Sequence, residues 1–284
     1  MIIDFRIRPP FKSLAAMRHF GPGMTLPKHD PLYESLNSLG RDFMPSAVRK
    51  SLPLFLEEMD QAGIAKAIIM GRVNDSDPNS KHDNKDLLEL TAMYPDRFFP
   101  LASIDPTVEG YVEEAEKALN DGFKGLSFDL GYISVYPDDP RMLPLYDLCN
   151  QHRCLVALAA SCVIGPDLTY SDPTPLGRVA RNFPDATFYI PHASWPHVQE
   201  AIGVATVCPN VYLSPDIYMS APDMPFARAY VDAANSFLMR KIVFASSYPI
   251  RGLAQSVREW KALPLSRQAV LQTMYYNGAR ILGL

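Results

Sequence analysis

The sequence predicts an α/β fold, a single (β/α)8 TIM barrel in which each parallel strand is followed by a helix. Three observations carry this. Short apolar, β-branched runs alternate with longer stretches of helical period, and eight runs of each kind fit into 284 residues. The strand candidates are apolar on both faces, as in a parallel sheet covered by helices. No glycine-rich phosphate loop follows the first strand, which argues against a doubly wound sheet.

The strand candidates are 2–8, 64–70, 98–104, 124–130, 154–161, 186–193, 211–216 and 241–249. The helices that follow them are 46–62, 84–94, 108–121, 142–152, 175–183, 197–207, 225–238 and 253–263, and a last helix spans 267–282. Leu56, Met59 and Ala62 form an apolar stripe at helical spacing, and Gly63 supplies the stop. Ala118, Leu119 and Gly122 repeat that pattern. No linker divides the chain, so residues 1–284 are expected to form one domain. The 9–45 connection is the exception to short loops, and in a barrel such a loop is expected to lie over the mouth.

Composition narrows the function classes. Hydrophobic residues are 48% of the chain, the formal charge is -4 and the pI is about 5.9. No basic run marks a nucleic-acid partner. No window approaches the ~18 consecutive apolar residues of a membrane span, and residues 1–4 carry no basic leader. A cytoplasmic protein without membrane association is expected. Cys149, Cys154, Cys162 and Cys208 form no C-x-x-C pair, so free thiols are expected.

In such a barrel the chemistry sits at the C-terminal ends of the strands. Arg6 and Arg8 stand two apart on the first strand and share a face, with Arg72 ending the second. Three guanidinium groups there require either an anionic ligand or compensation by Asp105, Asp129 and Asp216. Arginines buried against those acids as scaffold ion pairs would remove the anion pocket. His192 ends strand six, either as a proton carrier or as a satisfied core histidine. Asp216 ends strand seven, as an acid or base or as a cap. Ser247 is a nucleophile only with a base beside it, and Cys162 only with an activating neighbour. Trp195 and Tyr218 are candidates to line the pocket.

Several segments together resemble the amidohydrolase-related (amidohydrolase 2 type) family of small barrels, which contains aminocarboxymuconate-semialdehyde decarboxylase and γ-resorcylate decarboxylase. The family opens with I-D-x-H-x-H-P, where this chain reads Ile3-Asp4-Phe5-Arg6-Ile7-Arg8-Pro9. Pro191-His192-Ala193-Ser194 resembles the end of its sixth strand, and Asn210-Val211-Tyr212-Leu213-Ser214 its seventh. Phe244-Ala245-Ser246-Ser247-Tyr248-Pro249 resembles the family's F-G-S-D-Y-P, and Asn277-Gly278-Ala279-Arg280-Ile281-Leu282 its last helix. The resemblance implies a barrel, a hydrolase or decarboxylase, and leaves a homodimer open. It also implies a divalent metal, yet the ligand positions read Arg6, Arg8, Ala159 and Ser247, and only His192 remains. An arginine stays protonated and cannot ligate a metal, and a zinc site needs three or four protein ligands.

Three functions compete. The first is an enzyme without metal or other cofactor that acts on a small anionic, carboxylate-bearing substrate. Arg6, Arg8, Arg72 and Ser247 would bind the substrate, Trp195 and Tyr218 would line the pocket, and His192 and Asp216 would move protons. The second is a non-catalytic carboxylate-binding barrel. The third is a hydrolase with a relocated metal on His192, Asp216 and one of His19, His29 or His82.

Overall fold

Seven of the expected strands form, and they pair in parallel in sequence order. They are β1 (Ile2–Ile7), β2 (Ile64–Met70), β3 (Phe98–Ser103), β4 (Gly125–Asp129), β5 (Leu155–Ala159), β6 (Thr187–Pro191) and β7 (Val211–Ser214). The structure, a computed structural model, describes residues 1–20, 40, 42–73 and 82–284. Every residue of β1, β4 and β5 is buried. That is the signature of strands packed on both faces, with helices outside and a filled barrel within.

The 241–249 segment closes the barrel without forming a regular strand. It makes isolated parallel bridges, Leu213 with Ile242 on one side and Ile7 with Tyr248 on the other. The Phe5 N–H donates to the Phe244 carbonyl at 2.9 Å and the Arg8 N–H to the Tyr248 carbonyl at 3.0 Å. Between these bonds the ladder is interrupted by a side chain. Asp4 Oδ1 accepts the Ser246 N–H at 3.1 Å and the Arg6 N–H at 3.0 Å. The Phe244 N–H turns to the Thr273 carbonyl at 2.8 Å. β1 shifts register between Asp4 and Ile7, as a bulge does.

The helices sit where the periodicity places them, with corrections at their ends. The expected 46–62 helix is two, α1 (Pro45–Arg49) and α2 (Leu52–Ala62). Pro53 lacks an N–H and fits only the first turn, so Ser51 caps a new helix there. The 225–238 helix shortens to Ala227–Ala234, and an unexpected turn of helix spans Ile217–Ser220. The last helix is interrupted by a π-helical turn, Gln272–Tyr276, which includes the Thr273 that receives Phe244.

Of the 9–45 connection, residues 21–39 and 41 lie outside the described residues. Its described beginning holds a short helix, Lys12–Ala16, tied to the helix Asn84–Met93 by the Lys12–Glu89 ion pair and the Ser13–Asp86 hydrogen bond. At its other end Gln255 accepts the Asp42 N–H and donates to the Gly40 carbonyl. One apolar cluster lies between helices and sheet, and a second, including Phe5, Met70, Leu101, Ala157, Tyr189 and Val243, draws on successive strands and fills the interior. Among the described residues no helix is long and apolar enough to cross a membrane.

Candidate functional site

Three strand ends leave the barrel through strained backbone. His192, Ala193 and Ser194 have φ of 69°, 47° and 63°, Asp216 has 45° and Ser247 has 59°. Each has a positive φ, a conformation that costs a residue with a side chain roughly 1–3 kcal/mol. Such strain concentrates at functional sites, where it aims side chains that relaxed backbone would not.

The arginines converge on one carboxylate. Arg8 donates to Asp129 Oδ2 at 3.2 Å, while Arg6 lies 3.8 Å from Oδ1 and Arg72 3.7 Å from Oδ2. Arg6 and Arg8 are each 2% exposed and Asp129 3%, so the group is shielded from bulk water. Burial pushes the Asp129 carboxyl up, but Arg8, Arg72 and Arg6 together hold it below the usual carboxylate range. Burial and then repulsion by Arg6 lower Arg8 to about 9, which still leaves it cationic at neutral pH. Among the described residues the Nε atoms of Arg6, Arg8 and Arg72 and Oδ1 of Asp129 have no hydrogen-bond partner. All three arginines are thus buried against Asp129 as a scaffold ion-pair group would be, but its single charge compensates one guanidinium, not three. Asp105 takes no part, because it caps Thr107 instead.

A second polar chain runs beside the first. Arg6 Nη1 donates to Ser247 Oγ at 3.3 Å, and Ser247 Oγ donates to Asp216 Oδ2 at 2.7 Å. His192 Nδ1 lies 2.8 Å from the same oxygen, an ion-pair distance without hydrogen-bond alignment. Burial and then the Arg6 charge depress His192, against the pull of Asp216, so the imidazole is neutral at pH 7. Tyr218 stands edge-on to His192 at 5.5 Å and stacks on Trp195 at 4.9 Å. Its hydroxyl donates to Ser161 at 3.4 Å, and burial raises its pKa above the ordinary phenol value.

The sequence thus brings together Arg6, Arg8, Arg72, His192, Asp216 and Ser247, with Tyr218 and Trp195 beside them. It does not make Ser247 a triad serine, because its hydroxyl is held by Asp216 and not by a histidine nitrogen. Cys162 has no activating cation, and burial raises its thiol. His82 is spent on Arg72 and Asn84, and His19 contacts Arg72 Nη1 at 3.2 Å, so neither joins His192 and Asp216; His29 lies outside the described residues. The Tyr132 ring, just beyond β4, lies 3.9 Å from the Arg72 guanidinium. Sequence reasoning missed Asp4, a buried acid whose neighbours are backbone amides that no motif reveals.

A buried polar cluster at the C-terminal ends of barrel strands defines the class of barrel proteins whose chemistry sits at that face. Within that class, a family model described as Amidohydrolase (Amidohydro_2) matches residues 25–284, and the chain belongs to that family. It is 33% identical to an uncharacterized TIM-barrel protein from Bordetella bronchiseptica, covering 99% of this chain and 98% of that one with a TM-score of 0.89. At 15% identity it shares the fold of 2,6-dihydroxybenzoate decarboxylase from Rhizobium, covering 99% and 98% with a TM-score of 0.63. At 17% identity it shares that of 5-carboxyvanillate decarboxylase from Novosphingobium aromaticivorans complexed with manganese, covering 100% and 96% with a TM-score of 0.67. No curated protein matches the chain.

The donor set does not fit such a metal. Among the described residues no group of three His, Cys, Asp or Glu side chains could hold an ion. His192 and Asp216 are two ligands, and the Arg6 and Arg8 charges beside them repel a cation.

Proposed function

We propose that the protein is a hydrolase for a small substrate bearing a carboxylate, working without a metal. The supporting observation is the imbalance around Asp129. Three buried guanidinium groups surround Asp129, and Arg6 alone reaches on through Ser247 to Asp216, which leaves positive charge for the substrate. An arginine fork suits a carboxylate, and the same fixed charge stabilises an oxyanion that develops beside it.

In this reading His192 is the general base. Its Nδ1 faces Asp216, so Nε2 is the nitrogen left to take a proton from water. Asp216 orients the ring and stabilises the imidazolium that forms, and Ser247 positions Asp216 while tying it to Arg6. Tyr218 and Trp195 form the apolar wall. A clamp on the carboxylate fits hydrolysis of a neighbouring lactone or amide better than loss of that carboxylate as carbon dioxide, since it stabilises the charged ground state. Decarboxylation is the second reading, favoured by the fold shared with the two decarboxylases.

The test is turnover of carboxylated lactones, amides and aromatic acids by protein dialysed against chelator, with metal analysis on the same sample. Activity without metal that falls about 10²–10⁴-fold in His192→Ala and Asp216→Asn is the expected result. A full equivalent of zinc or manganese surviving dialysis overturns the metal-free reading. Ligand binding without turnover of any kind favours the binding barrel. Because the base must be neutral, kcat/KM rises with pH along an acid limb centred below the ordinary imidazole value of 6.5.

A further inference from the structure

We propose a second ligand site at the opposite end of the barrel, for a small organic anion with an apolar body. A cavity of 410 Å³ opens there, where β3 to β6 begin. Phe99, Phe123, Leu155, Ile281 and Leu282 line part of it, and its volume lies in the range of small-molecule pockets. Lys124, His152 and Arg153 also line it, and no acid does. Among the described residues these three side chains make no ion pair or hydrogen bond with the protein. In a chain of net charge -4, the two exposed, unpaired cations Lys124 and Arg153 at the rim of a partly apolar hollow are complementary to an amphipathic anion.

The backbone under Arg153 points the same way. The helix Leu143–Gln151 ends with Cys154 N–H on the Cys149 carbonyl at 3.0 Å and Arg153 N–H on the Asn150 carbonyl at 3.3 Å. These bonds put Arg153 at the left-handed position of a Schellman motif, with φ of 52°. Glycine holds the left-handed helix ends at Gly63 and Gly283, and Lys50 holds another with φ of 49°. At the cavity the chain tolerates strain and presents a guanidinium.

The probe is octanoate, with octanol and acetate as controls. Cys154 lines the cavity and is half-buried, while Cys162 lies at the mouth end of β5 and is equally half-buried. Octanoate is expected to bind by calorimetry and to slow alkylation of Cys154 by iodoacetamide several-fold, leaving Cys162 unchanged. Octanol and acetate should do neither. Arg153→Gly should weaken octanoate at least tenfold while raising the melting temperature, because it relieves the left-handed strain, and Lys124→Ser should weaken octanoate without lowering stability. Arg8→Met should leave binding intact. Failure of octanoate to protect Cys154, equal protection by octanol, or loss of binding in Arg8→Met overturns the proposal.

Discussion

Asp129 is the counter-charge on which three buried cations depend. Breaking a buried pair leaves the surviving charge uncompensated and costs about 3–5 kcal/mol. Asp129→Asn is therefore expected to lower the unfolding free energy from denaturant titration by that much, with added small carboxylates restoring part of it by binding the freed guanidinium groups. Asp4 carries a different signature. Burial raises its carboxyl from 3.8 to about 7, against hydrogen bonds from Ser246 and the Arg6 backbone that favour the charged form. Below 3.8 both folded and unfolded chains hold this proton. Between 3.8 and about 7 the folded chain keeps a proton that the unfolded one has released, so this group's contribution to stability declines as pH rises through that window. Melting temperatures from pH 5 to 9 should show this decline in the wild type and its absence in Asp4→Asn, which keeps the acceptor oxygen. The arginines, His192 and Asp216 were legible because a charged residue at a strand end has few bland explanations. Asp4 was not, since a carboxyl in a strand seam depends on neighbours distant in sequence.

At the level of elements, the loops after β4 and β5 touch backbone to backbone. A Cβ on Gly131 would lie 2.0 Å from the Ile164 carbonyl oxygen, and Gly165, at φ 103°, packs against Gly131 in return. Gly131 stands two residues beyond Asp129, so spreading these loops moves the carboxylate that the arginines share. Gly131→Ala is expected to lower both melting temperature and kcat/KM. Gly203→Ala, in the helix Val198–Val207 with nothing within 4 Å of the added carbon, should stabilise by about 0.5–1 kcal/mol and leave turnover unchanged. Helix positions were readable from apolar periodicity and glycine stops such as Gly63. Helix interruptions were readable only in part. Pro53 signals the break before α2, but nothing local announces the π-helical turn, which includes the carbonyl that takes the Phe244 amide.

Across the whole molecule the barrel is uneven. Six strand pairs form ladders, with register shifts between β1 and β2, whereas 241–249 joins β7 and β1 through isolated bridges and the Asp4 side chain. Local opening draws on segments with few backbone bonds. Hydrogen exchange should therefore find the amides of 241–249 less protected than those of β4 and β5, and equal protection would contradict a weak seam. The alternation of runs made the barrel legible, but the seam was not, because 241–249 has the composition of an ordinary strand.

The stack of Trp195 on Tyr218, with Tyr218 edge-on to His192, has an optical consequence. The chain has two tryptophans, and the other, Trp260, is fully buried with its indole N–H on Thr273. Trp260 should emit at short wavelength whatever happens at the mouth. A molecule that settles against Tyr218 changes the surroundings of Trp195 alone. The native protein thus carries its own fluorescent reporter, and emission spectra across a library of carboxylates can sort candidates before any product is looked for.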